Sequence, residues 1–176
     1  MQEILTAIFT ELEKGATQTK HPYRYFCLSS IKNNIPQQRM VVFRAIVKNT
    51  ISIYTDLRSP KVSHFKNNPN ASILLYDYKK MKQIQLTGTI QIEKEYDAFV
   101  WNSISPKAKK DYTTLYAPGT EISSPERVIY KEEKVNFCIL KFTFSKIDYL
   151  NINRPYHIRT QFTLIDNEWK GVYVTP

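Results

Sequence analysis

Between residues 83 and 94, Ile84, Leu86, Gly88, Ile90 and Ile92 alternate with Gln83, Gln85, Thr87, Thr89 and Gln91. A period of two describes a strand with one face in a core and the other polar. The opening residues have a different rhythm. Ile4, Leu5, Ile8, Phe9 and Leu12 recur at helical spacing, which predicts a helix over 2–14 ended by Gly15 as C-cap. Further strands are predicted at 23–31, 39–48, 51–55, 71–78 and 135–150, with a last hairpin of 156–165 and 169–174. The apolar run SILLY within 71–78 implies burial on both faces. Asn33, Asn34 and Pro36, Lys48-Asn49, and Asp166-Asn167-Glu168 mark the turns. Short helices are expected at 60–67, 95–103 and 106–112, and a loop of mixed charge at 115–134.

Seven or eight hairpin-linked strands with helices inserted at two points, and no βαβ alternation, predict a mainly β fold with flanking α-helices. The economical architecture is an antiparallel Greek-key barrel, closed or partly closed. The 176 residues suit one domain over 1–176, with the barrel spanning about residues 22–175.

Composition narrows the chemistry. Only Gly15, Gly88, Gly119 and Gly171 are glycines, so neither a GxGxxG nor a P-loop can be written. The histidines at 21, 64 and 157 have no metal-site spacing, and Cys27 and Cys138 read as buried free thiols. No apolar run approaches the ~20 residues that span a bilayer, and the opening helix is not laid out as a signal peptide, so a cytoplasmic location without a membrane partner is expected. The formal net charge of +9 invites an anionic partner.

The residues best suited to an anion lie between Gln38 and Lys61. Arg39 opens a strand and Arg44 sits near its middle; five apart, they would face opposite ways on a regular strand. Thr55, Arg58, Ser59 and Lys61 crowd a strand end and the turn after it. Ser59 suits an N-cap and Pro60 the first helical position, and a helix N-terminus offers free N–H groups. Lys61 is electrostatically misplaced there, at a cost of a few tenths of a kcal/mol, roughly, that a bound anion would remove.

Four blocks in order, RMVVFR, YTDLRSPK, NNPNASILLYDY and KQIQLTG, resemble the flavin-binding half of the pyridoxamine 5′-phosphate oxidase family. These are homodimeric FMN-binding split barrels. The later WNSIS and Pro118-Gly119 look most like the branch of plant and cyanobacterial oxidase-like proteins. The resemblance implies that Arg39 contacts the FMN phosphate and that Met40, Val41, Val42 and Phe43 border the isoalloxazine ring with their backbone. Arg44 stands where the oxidases place a lysine that meets the substrate phosphate. Tyr54 and Thr55 match a flavin-contacting pair, Ser59 and Lys61 the phosphate-binding turn, and Gln83 the glutamine that bonds the ring. An arginine precedes the lysine in the oxidases; here it is Pro60, and Arg58 is the candidate to supply that charge.

The substrate half departs from the pattern. The oxidases' Tyr, Arg and Ser trio cannot be placed on WNSISPKAK, and their Arg-x-His-x-Arg motif survives only in part around His157 and Arg159. The resemblance therefore supports FMN binding and not vitamin B6 oxidation. It implies an FMN-dependent oxidoreductase acting on an unidentified small molecule, with no residue assigned a catalytic role and no metal. The second reading is a flavin-binding sensor, store or stress-related protein without turnover. The third, ranked well below, is an OB-like nucleic-acid module resting on YRYFCLSSIK.

Overall fold

The computed structural model describes residues 1–93, 97–131 and 133–176. Helix α1 (Gln2–Thr17) leads into β1 (Tyr25–Lys32), β2 (Ile35–Val42), β3 (Ala45–Val47) and β4 (Thr50–Asp56). Helix α2 (Pro60–Asn67) precedes β5 (Asn70–Asp77) and β6 (Lys82–Glu93). Short helices α3 (Ala98–Ser103) and α4 (Pro106–Lys109) follow, then β7 (Phe137–Asn151), β8 (Ile158–Ile165) and β9 (Glu168–Val174). All strand pairs are antiparallel, in the order β2-β1-β5-β6-β7-β4-β3, with β8 and β9 branching from the far half of β7. This is the mainly β antiparallel fold with flanking helices that the pattern predicts, and its open strand path agrees with the split barrel that the resemblance implies.

One face of each strand, with one face of α1, forms the core. Leu5, Ile8 and Leu12 of α1 pack with Phe26, Leu28, Phe43, Ile53, Ile73, Leu86, Phe142 and Phe144. A second, smaller cluster lies on the other face of β4 and β7, where Trp101, Ile104, Tyr112, Phe137 and Ile139 meet Tyr54. The 15-residue β7 pairs with β4 through its first half and with β8 through its second, so it links both parts of the sheet. The sheet bends where β6 and β7 slip register between Thr87 and Gly88. A Cβ at Gly88 would stand 2.0 Å from the Thr143 carbonyl oxygen, so the bulge admits only glycine.

Several expectations change. Gly15 does not cap α1, which runs on to Thr17; its bare Cα instead lets Tyr23 approach, since a Cβ there would lie 2.8 Å from that of Tyr23. The strand expected at 39–48 is broken at Phe43 and Arg44. Before the break β2 pairs with β1, and after it β3 pairs with β4. The Phe43 N–H donates to the Arg24 carbonyl and the Arg44 N–H to the Ser52 carbonyl, so the chain changes partners there. Alternation counted across the break therefore fails. In β5 only one face is buried: Leu74 and Tyr76 point outward and are exposed, because no layer covers that side. The helix expected at 106–112 is α4 followed by a 3-10 turn at Lys110–Tyr112, and the 115–134 loop holds a 3-10 turn at Pro125–Arg127. The hairpin expected from 156 starts at Ile158. Cys138 is buried as expected, whereas Cys27 is half-buried on the outward face. The expected strand end at Lys94, the helix start at Glu95 with Tyr96, and Glu132 of the loop lie outside the described residues.

An ionic clamp holds α1 to the β5–β6 turn. Glu11 accepts from Lys14 at 2.8 Å and Lys80 at 2.8 Å, with His21 Nε2 at 3.4 Å. Burial alone would raise its pKa, but the hydrogen bonds and charges of Lys14 and Lys80 outweigh that and bring it down to about 2. A carboxyl lowered in the folded chain adds stability above its unfolded value and loses it as pH falls through the folded one. Glu11→Gln should thus cost about 1–2 kcal/mol near pH 7 in urea unfolding, discounted for partial exposure. That difference should fade between about pH 4.5 and pH 2. Gly88→Ala should cost about 3 kcal/mol or more by the same measurement, or prevent folding, through the clash with Thr143.

Candidate functional site

Lys61 is the second residue of α2 and is partly withdrawn from water. Its ammonium donates to Thr55 Oγ1 at 2.9 Å and Ser59 Oγ at 2.8 Å. Both hydroxyl residues are buried. Ser59 occupies the N-cap position but makes no capping bond; its oxygen is turned onto Lys61 instead. The N-cap role expected of it holds for position and not for chemistry. Among the described residues neither Lys61 nor Arg39 has an ion-pair partner. Burial, then the nearby Arg39 charge, push the Lys61 pKa down, and burial lowers that of Arg39. One Arg39 N–H reaches the Leu28 carbonyl at 3.2 Å, leaving most of the guanidinium uncommitted.

His64, one turn along α2 from Lys61, backs this group. Its ring nitrogen lies 3.0 Å from Ser30 Oγ in a buried contact. Burial and then the charges of Arg39, Lys32 and Lys61 lower its pKa, so it is neutral at physiological pH. Sequence reading passed over His64 as scattered, although the i+3 spacing from Lys61 marks a shared helix face. Cys138 pairs with Thr55 across the ladder. Burial, then the charge of Asp56, push its thiol up to about 11, so it is an inert neighbour and no nucleophile.

The other sequence candidates fall into four places. Met40 and Val42 point to the outer face of the sheet, with Tyr25, Leu74 and Tyr76. Gln83 joins them on that face, opposite Tyr76 in the ladder. Val41 faces the core and Phe43 is fully buried in it, so only their backbone is available to a ligand. Arg44 and Tyr54 belong to the second cluster: the Arg44 guanidinium carbon lies 5.3 Å from the Tyr54 ring centroid. Tyr112, which sequence reading did not single out, also bonds Arg44. Arg44 Nε is buried with no hydrogen-bond partner among the described residues. Arg58 does not join the Lys61 group. Its fork lies on both oxygens of Asp56, at 3.1 and 2.7 Å, and on the Thr114 and Leu115 carbonyls.

A partly desolvated ammonium and a guanidinium, with no carboxylate among the described residues in ion-pair contact with either, beside two hydroxyls at the rim of a split barrel, form a donor set chemically suited to a dianionic group such as a phosphate monoester. The chain belongs to the pyridoxamine 5′-phosphate oxidase family, whose FMN-binding domain model matches residues 5–94, and FMN is the cofactor of that domain. A pyridoxine/pyridoxamine 5′-phosphate oxidase of Pelagibacter ubique is 32% identical over 79 residues, which are 45% of this chain and 38% of that protein. The chain thus spans well under half of that relative's length. Pyridoxine/pyridoxamine 5′-phosphate oxidase 2 of Arabidopsis thaliana is 26% identical over 136 residues, 68% of this chain and 69% of that one. The crystal structure of a pyridoxamine 5′-phosphate oxidase-related, FMN-binding protein from Nostoc punctiforme superposes with a TM-score of 0.80. At 23% identity over 97% of this chain and 96% of that one, it shows the fold.

The donor set fits the phosphate of FMN, because it is cationic, partly buried and, among the described residues, without a carboxylate in ion-pair contact. Lys61→Met removes a desolvated charge. Without ligand its thermal midpoint near pH 7 should equal or exceed that of the unaltered chain, since the lysine's lowered pKa means the folded state disfavours its charge. The gain should disappear as pH rises through the folded pKa of Lys61 towards 10.5, where the lysine is neutral in any case.

Proposed function

We propose that this chain is an FMN-dependent oxidoreductase acting on a small molecule as a homodimer, the whole chain serving as one cofactor-binding unit. The observation that carries the reading is the Lys61 ammonium, partly buried on Thr55 and Ser59 with Arg39 nearby and, among the described residues, no carboxylate in ion-pair contact with either. In this reading Lys61 and Arg39 grip the phosphate, and Thr55 and Ser59 aim Lys61 by accepting its protons. β2 is an edge strand, so a ligand with a charged end and a flat apolar body can bracket it. Arg39 serves one face and Met40 and Val42 the other, where they exclude water from the ring. Gln83 offers its amide to the ring's polar edge. The cofactor supplies the electron transfer; the chain binds, orients and shields it. The two free thiols suit a reducing compartment such as the cytoplasm.

The uncovered strip of Tyr25, Met40, Leu74 and Tyr76 supports a second copy as the covering partner. Vitamin B6 phosphates are not the proposed substrates. Arg159, the part of the Arg-x-His-x-Arg motif that survives, has its guanidinium on Asp148 at 3.0 and 3.0 Å, and His157 is exposed.

Purified protein should be yellow and release FMN on heating. Arg39→Ala and Lys61→Met should each weaken FMN binding by about 30- to 100-fold, corresponding to about 2–3 kcal/mol, while leaving riboflavin binding unchanged. Equal losses for both ligands in a fluorescence titration would refute the phosphate role. Reduction by NADPH or NADH followed by oxygen consumption separates the oxidoreductase from a flavin store. No reoxidation cycle with any donor would leave only binding.

A further inference from the structure

Arg58 stands between two parts of the molecule that the flavin site does not obviously join. On one side is the turn that carries Ser59 and Lys61. The Asp56 carboxylate accepts the Arg58 backbone N–H at 2.8 Å, and the Asp56 carbonyl accepts the Ser59 N–H at 3.0 Å. On the other side is the loop over 112–131. That loop closes on itself: Thr114 bridges to Tyr130, the Leu115 N–H donates to Ile129 at 2.7 Å, and the Lys131 N–H to Thr113 at 2.7 Å. It encloses a cavity of about 250 Å³ walled by Thr114, Tyr116, Pro118, Ile122 and Val128, with Asp111 at its polar edge. Its tip reaches α2, where a Cβ on Gly119 would lie 3.7 Å from Pro60.

The guanidinium ties the two sides together. Nε and Nη2 hold Asp56, Nη1 holds the Leu115 carbonyl at 3.1 Å, and Nη2 also reaches the Thr114 carbonyl at 2.9 Å and hydroxyl at 3.2 Å. Asp56 is almost fully buried, so the pair is fixed and not a fluctuating surface contact. A lysine could answer the Asp56 charge, but a single ammonium cannot span the carboxylate and both carbonyls in the planar arrangement that the fork provides.

We propose that Arg58 is a positioning residue that couples the phosphate turn to the 112–131 loop, so that holding the flavin phosphate also settles the loop and makes its cavity the second compartment of the same site. The proposal rests on the FMN reading above. Ordering the turn restrains Arg58, and a restrained Arg58 leaves the loop fewer conformations to lose. Arg58 acts through the loop and does not touch the cofactor.

Hydrogen–deuterium exchange of the full chain tests this, with Arg58→Lys as the main variant because Arg58→Ala strands a buried Asp56 and risks unfolding. Without ligand, Arg58→Lys should exchange faster than the unaltered chain both in 112–131 and in the turn over 57–62. With FMN bound, as followed by absorbance, the loop amides of the unaltered chain should slow at least about threefold. In Arg58→Lys the turn should slow and the loop should not. Equal loop protection in the two proteins, or no loop response in the unaltered chain with FMN bound, overturns the proposal. If FMN does not bind the unaltered chain, the cofactor reading falls and the ligand-free comparison decides alone. Faster exchange in both segments then upholds the coupling, and an unaffected turn overturns it.

Discussion

A lysine ammonium partly withdrawn from water, with no carboxylate among the described residues in ion-pair contact with it, is the constraint on which this structure turns. Desolvation costs the charged form several kcal/mol in general, and hydroxyl acceptors return only part of that. Thr55 and Ser59 hold Lys61 in place without neutralising it. The strain shows in the lowered pKa values of Lys61, Arg39 and His64: burial comes first for all three, and neighbouring cations add to it for Lys61 and His64. A fold selected for stability alone would replace such a group with an apolar one. A dianion removes the cost at once, and a family whose domain binds FMN provides one.

The sheet makes the arrangement possible by dividing its labour between two faces. β2 carries Arg39 towards the barrel interior and Met40 and Val42 away from it, at the edge of the sheet. The break at Phe43 and Arg44 then lets the chain cross from β1 to β4, which delivers Thr55 to the rim where α2 begins. Gly88 permits the bend in β6 against β7, and the long β7 ties β4 to the rest of the barrel. Site and scaffold share these elements, so a change that disturbs the bend would disturb the phosphate end as well.

The second cluster has a different character. Arg44, Tyr54, Tyr112 and Trp101 gather on the outer face of β4 and β7, beneath the two short helices. Its polar content lies among aromatic rings, with Arg44 Nε unpaired among the described residues. The Arg58 fork sits between this cluster's loop and the phosphate turn, in a position to make the two compartments behave as one.

Periodicity along the chain was enough for the helix–strand order, and turn and capping residues for the turns at Asn33-Asn34 and Asp166-Asn167 and the start and end of α2, although β2 begins at Ile35 and not at Arg39. Each depends on contacts a few residues apart, and both residues of each Asn- or Asp-bearing turn have the positive φ that such residues tolerate. The gathering of Thr55, Ser59 and Lys61 at the start of α2 was legible too, since residue type and helix start are local facts. What depended on distant partners was not. Gly15 is a contact for Tyr23 and not a cap; Leu74 and Tyr76 are exposed because nothing covers their face; Arg58 faces Asp56 and the 114–115 carbonyls and not the phosphate turn's ligand side. Local pattern determines which way a strand residue can point, but only the packed chain decides what stands there to meet it, because the partner comes from tens of residues away and its desolvation is settled by the whole fold.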